Sequence, residues 1–172
     1  DEDNTLVGAS VTDGTKDVML FSSGGKAIRI KESDVRAMGR TARGVRGIRL
    51  KKDEELISLI IPYENSEILL SSENGYGKRS KISDYSIIGR GGQGVICMKA
   101  SARNGKLVGA IEITSGDEVI LISDQGTLVR ISSAEVSLQG RNTLGIKLIS
   151  LTEDEKLVGI AAVNELEDDS NS

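Results

Sequence analysis

The chain has 172 residues, of which 38% are hydrophobic and 28% are charged, and it contains a single proline. This composition favours a packed globular core over a largely disordered chain. The sequence has no histidine and only one cysteine. It therefore excludes Ser-His-Asp and Cys-His catalysis, and zinc sites built from histidine or paired cysteines. We expect no catalytic residue, no metal site and no cofactor.

The sequence also indicates a cellular compartment. No apolar run approaches the roughly 18 residues that a membrane-spanning helix needs, and the acidic start of the chain is unlike the basic start of a signal peptide. Cys97 lies in the apolar run Val95–Met98, which favours a buried thiol over a reactive one. We expect a soluble cytoplasmic protein with no membrane partner.

The charges are unevenly distributed along the chain. The net charge is −4, but seven acidic residues lie at the two ends, and residues 4–163 hold 22 basic and 19 acidic side chains. The window 26–52 alone holds ten basic residues and two acidic ones. This pattern predicts a polyanionic partner with which the acidic ends could compete, or else a solvated surface. We predict an acidic extension over residues 1–5 and a disordered acidic tail over 164–172.

An internal repeat predicts the fold. The segments 18–50, 68–100 and 119–151 align without a gap at offsets of 50 and 51 residues. Apolar runs beginning at Leu6, Leu56 and Leu107 precede the three aligned segments, and a fourth such run begins at Leu157. The predicted repeats are therefore 6–55, 56–106 and 107–163, the last of which includes the first strand of a fourth.

Each repeat contains four short β-branched runs separated by turn residues. In the first copy these runs are Leu6–Val11, Asp17–Ser22, Ala27–Lys31 and Val45–Leu50. Four strands in about 50 residues are typical of propeller blades. We predict an all-β, propeller-like array of three four-stranded blades, in which the extra strand at Leu157 pairs with an exposed edge.

A glycine-ended loop carries one arginine in every repeat. Residues 89–94 read G-x-G-x-x-G, but a β-run follows instead of the helix that a dinucleotide site requires. The pattern common to 39–44, 89–94 and 140–145 is Gly-Arg-x-x-x-Gly. Its arginine could bind phosphate, or it could close the blade by pairing with the repeated acid at Asp34, Asp84 or Glu135. The sequence alone leaves both interpretations open.

The motifs resemble those of a known family. The segments 34–50, 74–79, 126–130 and 140–143 look like the C-terminal domain of the A subunit of bacterial DNA gyrase, and the likeness extends over about residues 6–163. It implies a six-bladed β-pinwheel, of which this chain would supply the last three blades. Its basic perimeter would wrap double-stranded DNA and support ATP-dependent negative supercoiling by the holoenzyme. The resemblance also implies that the chain is joined to the rest of the A subunit and associates with the B subunit through it. The implied location is the bacterial nucleoid.

The chain departs from the family pattern at two places. The family's wrapping box reads Q-R-R-G-G-K-G, and residues 88–94 keep four of these seven letters. The family's cleavage tyrosine follows an arginine, whereas Tyr63, Tyr76 and Tyr85 follow Pro, Gly and Asp. We therefore expect that this chain does not cleave DNA strands. Because it holds only three of the six implied blades, we also expect that the isolated chain can associate with itself.

These observations give two sets of candidate residues. The candidate DNA-binding residues are Arg29, Arg40, Arg43, Arg46, Lys78, Arg79, Arg90, Arg130 and Arg141. The candidate turn residues are Gly25, Gly39, Gly44, Gly75, Gly89, Gly94, Gly126, Gly140 and Gly145. Two alternatives remain, namely the equivalent domain of topoisomerase IV and a β-propeller that binds proteins.

Overall fold

The computed structural model describes residues 4–163, so the predicted tail and most of the predicted N-terminal extension lie outside the described residues. Within this range the strands are β1 Asp17–Ser22, β2 Lys26–Lys31, β3 Leu56–Ile60, β4 Glu67–Ser72, β5 Tyr76–Lys81, β6 Val95–Ile96, β7 Leu107–Ile113, β8 Glu118–Ser123, β9 Leu128–Ser132, β10 Ile146–Lys147 and β11 Leu157–Ala162. Short 3₁₀ helices at Glu32–Asp34, Ile82–Asp84 and Ser133–Glu135 follow β2, β5 and β9.

The strands form three antiparallel sheets, which we call blades 1, 2 and 3. Blade 1 has the order β3-β1-β2-β6, blade 2 the order β10-β5-β4-β7, and blade 3 the order β11-β8-β9. The hairpins β1-β2, β4-β5 and β8-β9 lie at equivalent positions of the repeat. The predicted all-β array of blades is therefore confirmed, with four strands in two blades and three in the described part of the third.

The strands that flank each hairpin come from the following repeat. In blade 1, Leu20 of β1 pairs with Leu59 of β3, and Ala27 of β2 pairs with Val95 of β6. Strands β7 and β10 complete blade 2 in the same way. Neighbouring blades are consequently joined by shared strands as well as by packed side chains.

This exchange, in which strands of one repeat complete the blade of the preceding repeat, explains why two predicted strands do not form. Leu6–Val11 and Val45–Leu50 form no strand, because their equivalents pair with the preceding repeat, and residues 4–163 contain no repeat before the first. Leu6 is 82% exposed and Val11 is 98% exposed. The strand predicted at Leu157 does form, as β11, and it pairs with β8 as expected.

The hydrophobic core lies between the blades. Phe21 and Met19 of blade 1 pack in one cluster with Leu70, Tyr85 and Cys97. A second cluster joins blade 2 to blade 3. Because each blade buries one face against the next, the blades stack in chain order and their edges lie side by side.

Two arginines at equivalent positions join adjacent blades. The Arg29 guanidinium donates to the Asp17 carboxylate at 2.7 and 2.9 Å and to the backbone oxygens of Ile82 and Tyr85, both at 3.2 Å. In the next blade, Arg79 donates to Glu67 Oε2 at 2.6 Å and to the backbone oxygen of Val136 at 2.7 Å. In each case the carboxylate belongs to the arginine's own hairpin and the carbonyl groups belong to the next repeat.

The third equivalent, Arg130, pairs with Glu118, and its side chain is 58% exposed. The side chains of Arg29 and Arg79 are only 20% and 12% exposed. The contacts of Arg29 and Arg79 therefore favour a structural role at the blade junctions over the DNA contact predicted from sequence.

We predict that removing the Arg79 guanidinium lowers the free energy of unfolding more than removing that of Arg130. Arg79→Met should lower the free energy of unfolding by about 2–3 kcal/mol, because it leaves a half-buried carboxylate and a carbonyl group without their donor. The matched change Arg130→Met should cost less than about 1 kcal/mol, because that ion pair is exposed. Urea unfolding measures both, and equal losses would contradict the junction role of Arg79.

Candidate nucleic-acid interface

Two of the three Gly-Arg loops, 89–94 and 140–145, lie at the outer edge of the blades. Strand β7 packs against both β3 and β11, so these strands line the inner side of the array, and β6 and β10 lie at the opposite edge. Loop 89–94 leads into β6, and loop 140–145 leads into β10. We call these two loops, with β6 and β10, the rim.

Backbone hydrogen bonds hold each rim loop on the preceding blade. The Ile88 N–H donates to the Arg29 backbone oxygen at 2.8 Å, and the Arg49 N–H donates to the Gly92 oxygen at 2.7 Å. In blade 2 the Lys99 N–H donates to the Thr143 oxygen at 2.9 Å. The loops are thus fixed in place by backbone contacts that recur from blade to blade.

Glycine is required where each loop meets the neighbouring strand. Gly94 and Gly145 have φ values of 73° and 77°. A Cβ atom on them would lie 2.3 Å from the Ala27 oxygen and 2.5 Å from the Gly77 oxygen, so a side chain would break the edge pairing. The other predicted turn glycines with positive φ are Gly25, Gly44, Gly75 and Gly126. The remaining three, Gly39, Gly89 and Gly140, have no positive φ and no crowding at Cβ.

The loop arginines make the same contacts in both blades. Arg90 Nε donates to the backbone oxygen of Asp34 at 3.0 Å, and Arg141 Nε donates to that of Asp84 at 2.7 Å. A second nitrogen of Arg141 donates to the Ile96 oxygen at 3.0 Å. The acceptors are backbone oxygens, so neither guanidinium charge is neutralised by the repeated acid. Each arginine closes a blade and also keeps its positive charge at the rim.

Three other predicted residues are exposed. Arg40, Arg43 and Arg46 make no side-chain hydrogen bond or ion pair within residues 4–163, and all three are accessible to solvent. Arg40 lacks the contact that Arg90 and Arg141 make, because no preceding blade is present in the described range.

The sequence reasoning missed a cationic cluster at the rim of blade 2. The Arg103 guanidinium lies 4.2 Å from the centre of the Tyr76 ring, and the Lys147 ammonium lies 5.9 Å from it. Arg103 also donates to the Leu144 and Gly145 oxygens at 3.3 and 3.2 Å. Tyr76 lies in the second repeat and pairs with Lys147 of the third. Because these residues are far apart in the sequence, their spacing did not indicate the cluster.

Two further rim cations could have been found from the repeat. Arg49 and Lys99 are 50 residues apart, occupy equivalent positions and are both exposed. Their backbone N–H groups bind the rim loops, so their side chains begin beside Gly92 and Thr143. The repeat offset, applied to the basic residues after Gly44 and Gly94, identifies both.

Lys78 is fully buried, although it was predicted to bind DNA. Its ammonium donates to the backbone oxygens of Gly140 and Arg141 and to Thr143 Oγ1. Burial, together with the nearby Arg141 charge, lowers the pKa of Lys78 to about 8. The side chain faces the underside of a rim loop and is closed to direct DNA contact.

Other chemistry is not supported. Cys97 is buried as predicted, and burial raises the pKa of its thiol to about 12. Loop 89–94 leads into a strand, which argues against a dinucleotide site. Within residues 4–163 no cluster of acidic or cysteine side chains could hold a metal ion. No helix in that range is long and apolar enough to cross a membrane.

The buried lysine predicts a pH effect on stability. Because the pKa of Lys78 is about 8 in the folded chain and its ordinary value is 10.5, the unfolded chain holds more protons between these values. Raising the pH from 7 to 10 should therefore increase the stability of the native chain relative to Lys78→Met, by up to about 1.4 kcal/mol per pH unit. Urea unfolding of both chains across this range tests the effect, which a constant difference would contradict.

The chain matches proteins of one family along most of its length. The model of the DNA gyrase C-terminal domain, a beta-propeller, matches residues 16–62, 66–114 and 117–164. The A subunit of DNA gyrase from Pseudomonas aeruginosa is 56% identical over 165 residues, which are 96% of this chain and 18% of that protein. The corresponding protein of Escherichia coli K12 is 46% identical over 166 residues, again 96% of this chain, and 19% of that protein. The chain thus spans less than a fifth of these relatives.

Solved structures share the fold. The C-terminal domain of DNA gyrase A superposes with a TM-score of 0.80 at 32% identity, covering 86% of this chain and 50% of that one. The C-terminal domain of DNA topoisomerase IV superposes with a TM-score of 0.81 at 20% identity, covering 92% of this chain and 53% of that one; it shows the fold alone. The repeated blades, the rim loops and the sequence match together show that the chain belongs to the DNA gyrase C-terminal domain family.

Proposed function

We propose that this chain binds duplex DNA along its rim and bends it, as the wrapping module of the gyrase A protein. In this role it makes no covalent change in DNA. It holds a DNA segment so that the rest of the A subunit, together with the B subunit, uses ATP hydrolysis to introduce negative supercoils in the bacterial cytoplasm. The names of the curated relatives support the assignment to gyrase.

The observation that carries the proposal is the repetition of anchored cations on adjacent blades. Arg90 and Arg141 have matching acceptors, and Arg49 and Lys99 lie beside the two loops at the repeat offset. A guanidinium held by backbone carbonyl groups loses less side-chain entropy when it binds phosphate. Phosphate contacts of this kind position a duplex without reading its bases.

The cations fall into three groups. The proposed phosphate contacts are Arg40, Arg43, Arg46, Arg49, Arg90, Lys99, Arg103, Arg141 and Lys147. Arg29, Arg79 and Lys78 are left out, because their nitrogens are engaged between blades. Arg130 remains a candidate, because it is exposed on the outer strand of blade 3.

A topoisomerase IV domain is the second candidate, since its fold superposes equally well. The higher sequence identity to gyrase A relatives favours gyrase. In the whole A protein, ligation of a nicked circle separates the two, because wrapping of fixed hand changes the linking number of the closed product.

The electrostatic mechanism predicts a steep response to salt. The affinity should fall with a log–log slope of about −0.9 for each phosphate neutralised, so four contacts would weaken binding roughly a hundredfold between 50 and 200 mM salt. Fluorescence anisotropy with a labelled 40-base-pair duplex measures this slope. An affinity that does not change with salt would exclude the proposal.

Charge reversal locates the contact surface. The double change Arg46→Glu and Arg49→Glu should weaken duplex binding at least tenfold, because it reverses two exposed charges beside the rim. Neither side chain makes a hydrogen bond or ion pair within residues 4–163, so the fold should tolerate the change. The matched control is Lys16→Glu with Lys81→Glu, which alters the same charge in a cleft beside the 62–67 loop. The control should change the affinity less than about threefold, and equal losses would show that only net charge matters.

A further inference from the structure

One position of the repeat is filled differently in the two complete blades. In blade 1 it is Ile28, a buried residue whose terminal methyl lies 4.0 Å from where a side chain on Gly92 would begin. In blade 2 it is Lys78, which faces Thr143 at the position equivalent to Gly92. An apolar side chain therefore supports the rim loop of one blade, and a buried ammonium supports the rim loop of the other.

We propose that Lys78 is a positioning residue for DNA binding, which fixes the rim loop 140–145 from beneath and so holds Arg141 in its rim position. This inference rests on the proposed DNA-binding function. Membership of the family does not by itself imply this role for Lys78, because the uncharged Ile28 supports the equivalent loop of blade 1.

The contacts of the loop show how the ammonium acts. Lys78 Nζ donates to the Gly140 oxygen at 2.7 Å and to Thr143 Oγ1 at 2.9 Å, and it also donates to the Arg141 oxygen. Thr143 Oγ1 donates in turn to the Gly140 oxygen at 2.9 Å. One buried charge therefore closes the turn that carries the Arg141 side chain. A neutral apolar side chain would leave the two carbonyl groups without a charged donor.

The surroundings of Lys78 link this contact to DNA. The titratable and charged groups that face it are Cys97, Arg141 and Asp84, and Tyr85 lies in the same core cluster as Cys97. Burial and the Arg141 charge disfavour the ammonium, whereas a phosphate held on the rim loop would favour it. DNA binding should therefore draw a proton onto Lys78 near pH 8.

The first test measures the loop without DNA. In Lys78→Met, hydrogen exchange should speed up at least tenfold in residues 140–145 and stay unchanged in the internal control loop 89–94. The double change Lys78→Ile with Thr143→Gly copies the blade 1 arrangement and should restore protection. Should Lys78→Met fail to fold, the double variant decides, because its loop is then predicted to be protected. Unchanged exchange in Lys78→Met, or an unprotected loop in the double variant, would overturn the proposal.

The second test measures duplex affinity in a double-mutant cycle with Arg141→Ala. Lys78→Met alone should weaken binding about three- to tenfold, and in the Arg141→Ala background it should have almost no further effect. Equal losses in both backgrounds would overturn the proposal, because Lys78 would then act independently of Arg141.

The pH dependence of duplex affinity distinguishes this role from a purely structural one. A lysine with no link to DNA would leave that dependence unchanged when it is replaced. The affinity of the native chain should fall between pH 7.5 and 9 relative to Lys78→Met, because the native complex takes up a proton. Parallel profiles would overturn the link between Lys78 and DNA. If the native chain binds no duplex, the proposed function fails, and the exchange experiment still decides whether Lys78 positions the loop.

Discussion

The rim depends on antiparallel pairing between consecutive repeats. The outer strand of blade 1 is β6, which the second repeat supplies, and its register is set by Ala27 pairing with Val95. The loop before that strand has to pass over the edge of the neighbouring blade, and Gly94 makes this close approach possible. The positions of Arg90 and Arg141 follow from this pairing, because each lies in the loop that leads into a shared outer strand.

The exchange also determines how charge is used. Polar groups at a blade junction are partly removed from water, so they need partners there. Arg29 and Arg79 satisfy such groups from within the array, whereas Arg90 and Arg141 do so from its edge and remain accessible. The same residue type thus stabilises the stack at one repeat position and presents charge to solvent at another. Arg29 and Arg79 lie within the inner strands β2 and β5, whereas Arg90 and Arg141 lie in the loops that lead into the edge strands β6 and β10.

The sequence predicted the features that recur locally. The period, the hairpins, the turn at Gly75 and the Gly-Arg loops each depend on residues close together in the chain, and the structure has all of them. The sequence did not predict which blade each strand joins. The spacing of the strands within a repeat is the same whether the first and last strands pair with the hairpin of their own repeat or with that of the preceding repeat. The predicted strand at Val45–Leu50 was wrong for this reason.

The same limit applies to single residues. A lysine between a glycine and an arginine, such as Lys78, is normally exposed, and only the loop of the next repeat shows why it is buried. The cluster around Tyr76 was missed because its members come from three separate strands and loops. Long-range pairing, which composition and spacing do not encode, accounts for both errors.

The central claim is that duplex DNA follows the rim across adjacent blades. Chemical modification of arginine and lysine side chains, read by mass spectrometry with and without a 40-base-pair duplex, tests it most directly. DNA should protect the cations on both blades, namely Arg46, Arg49, Arg90, Lys99, Arg103 and Lys147. Lys16 and Lys81 should react equally in both states. Protection confined to one blade, or shared evenly by all exposed cations, would contradict the account.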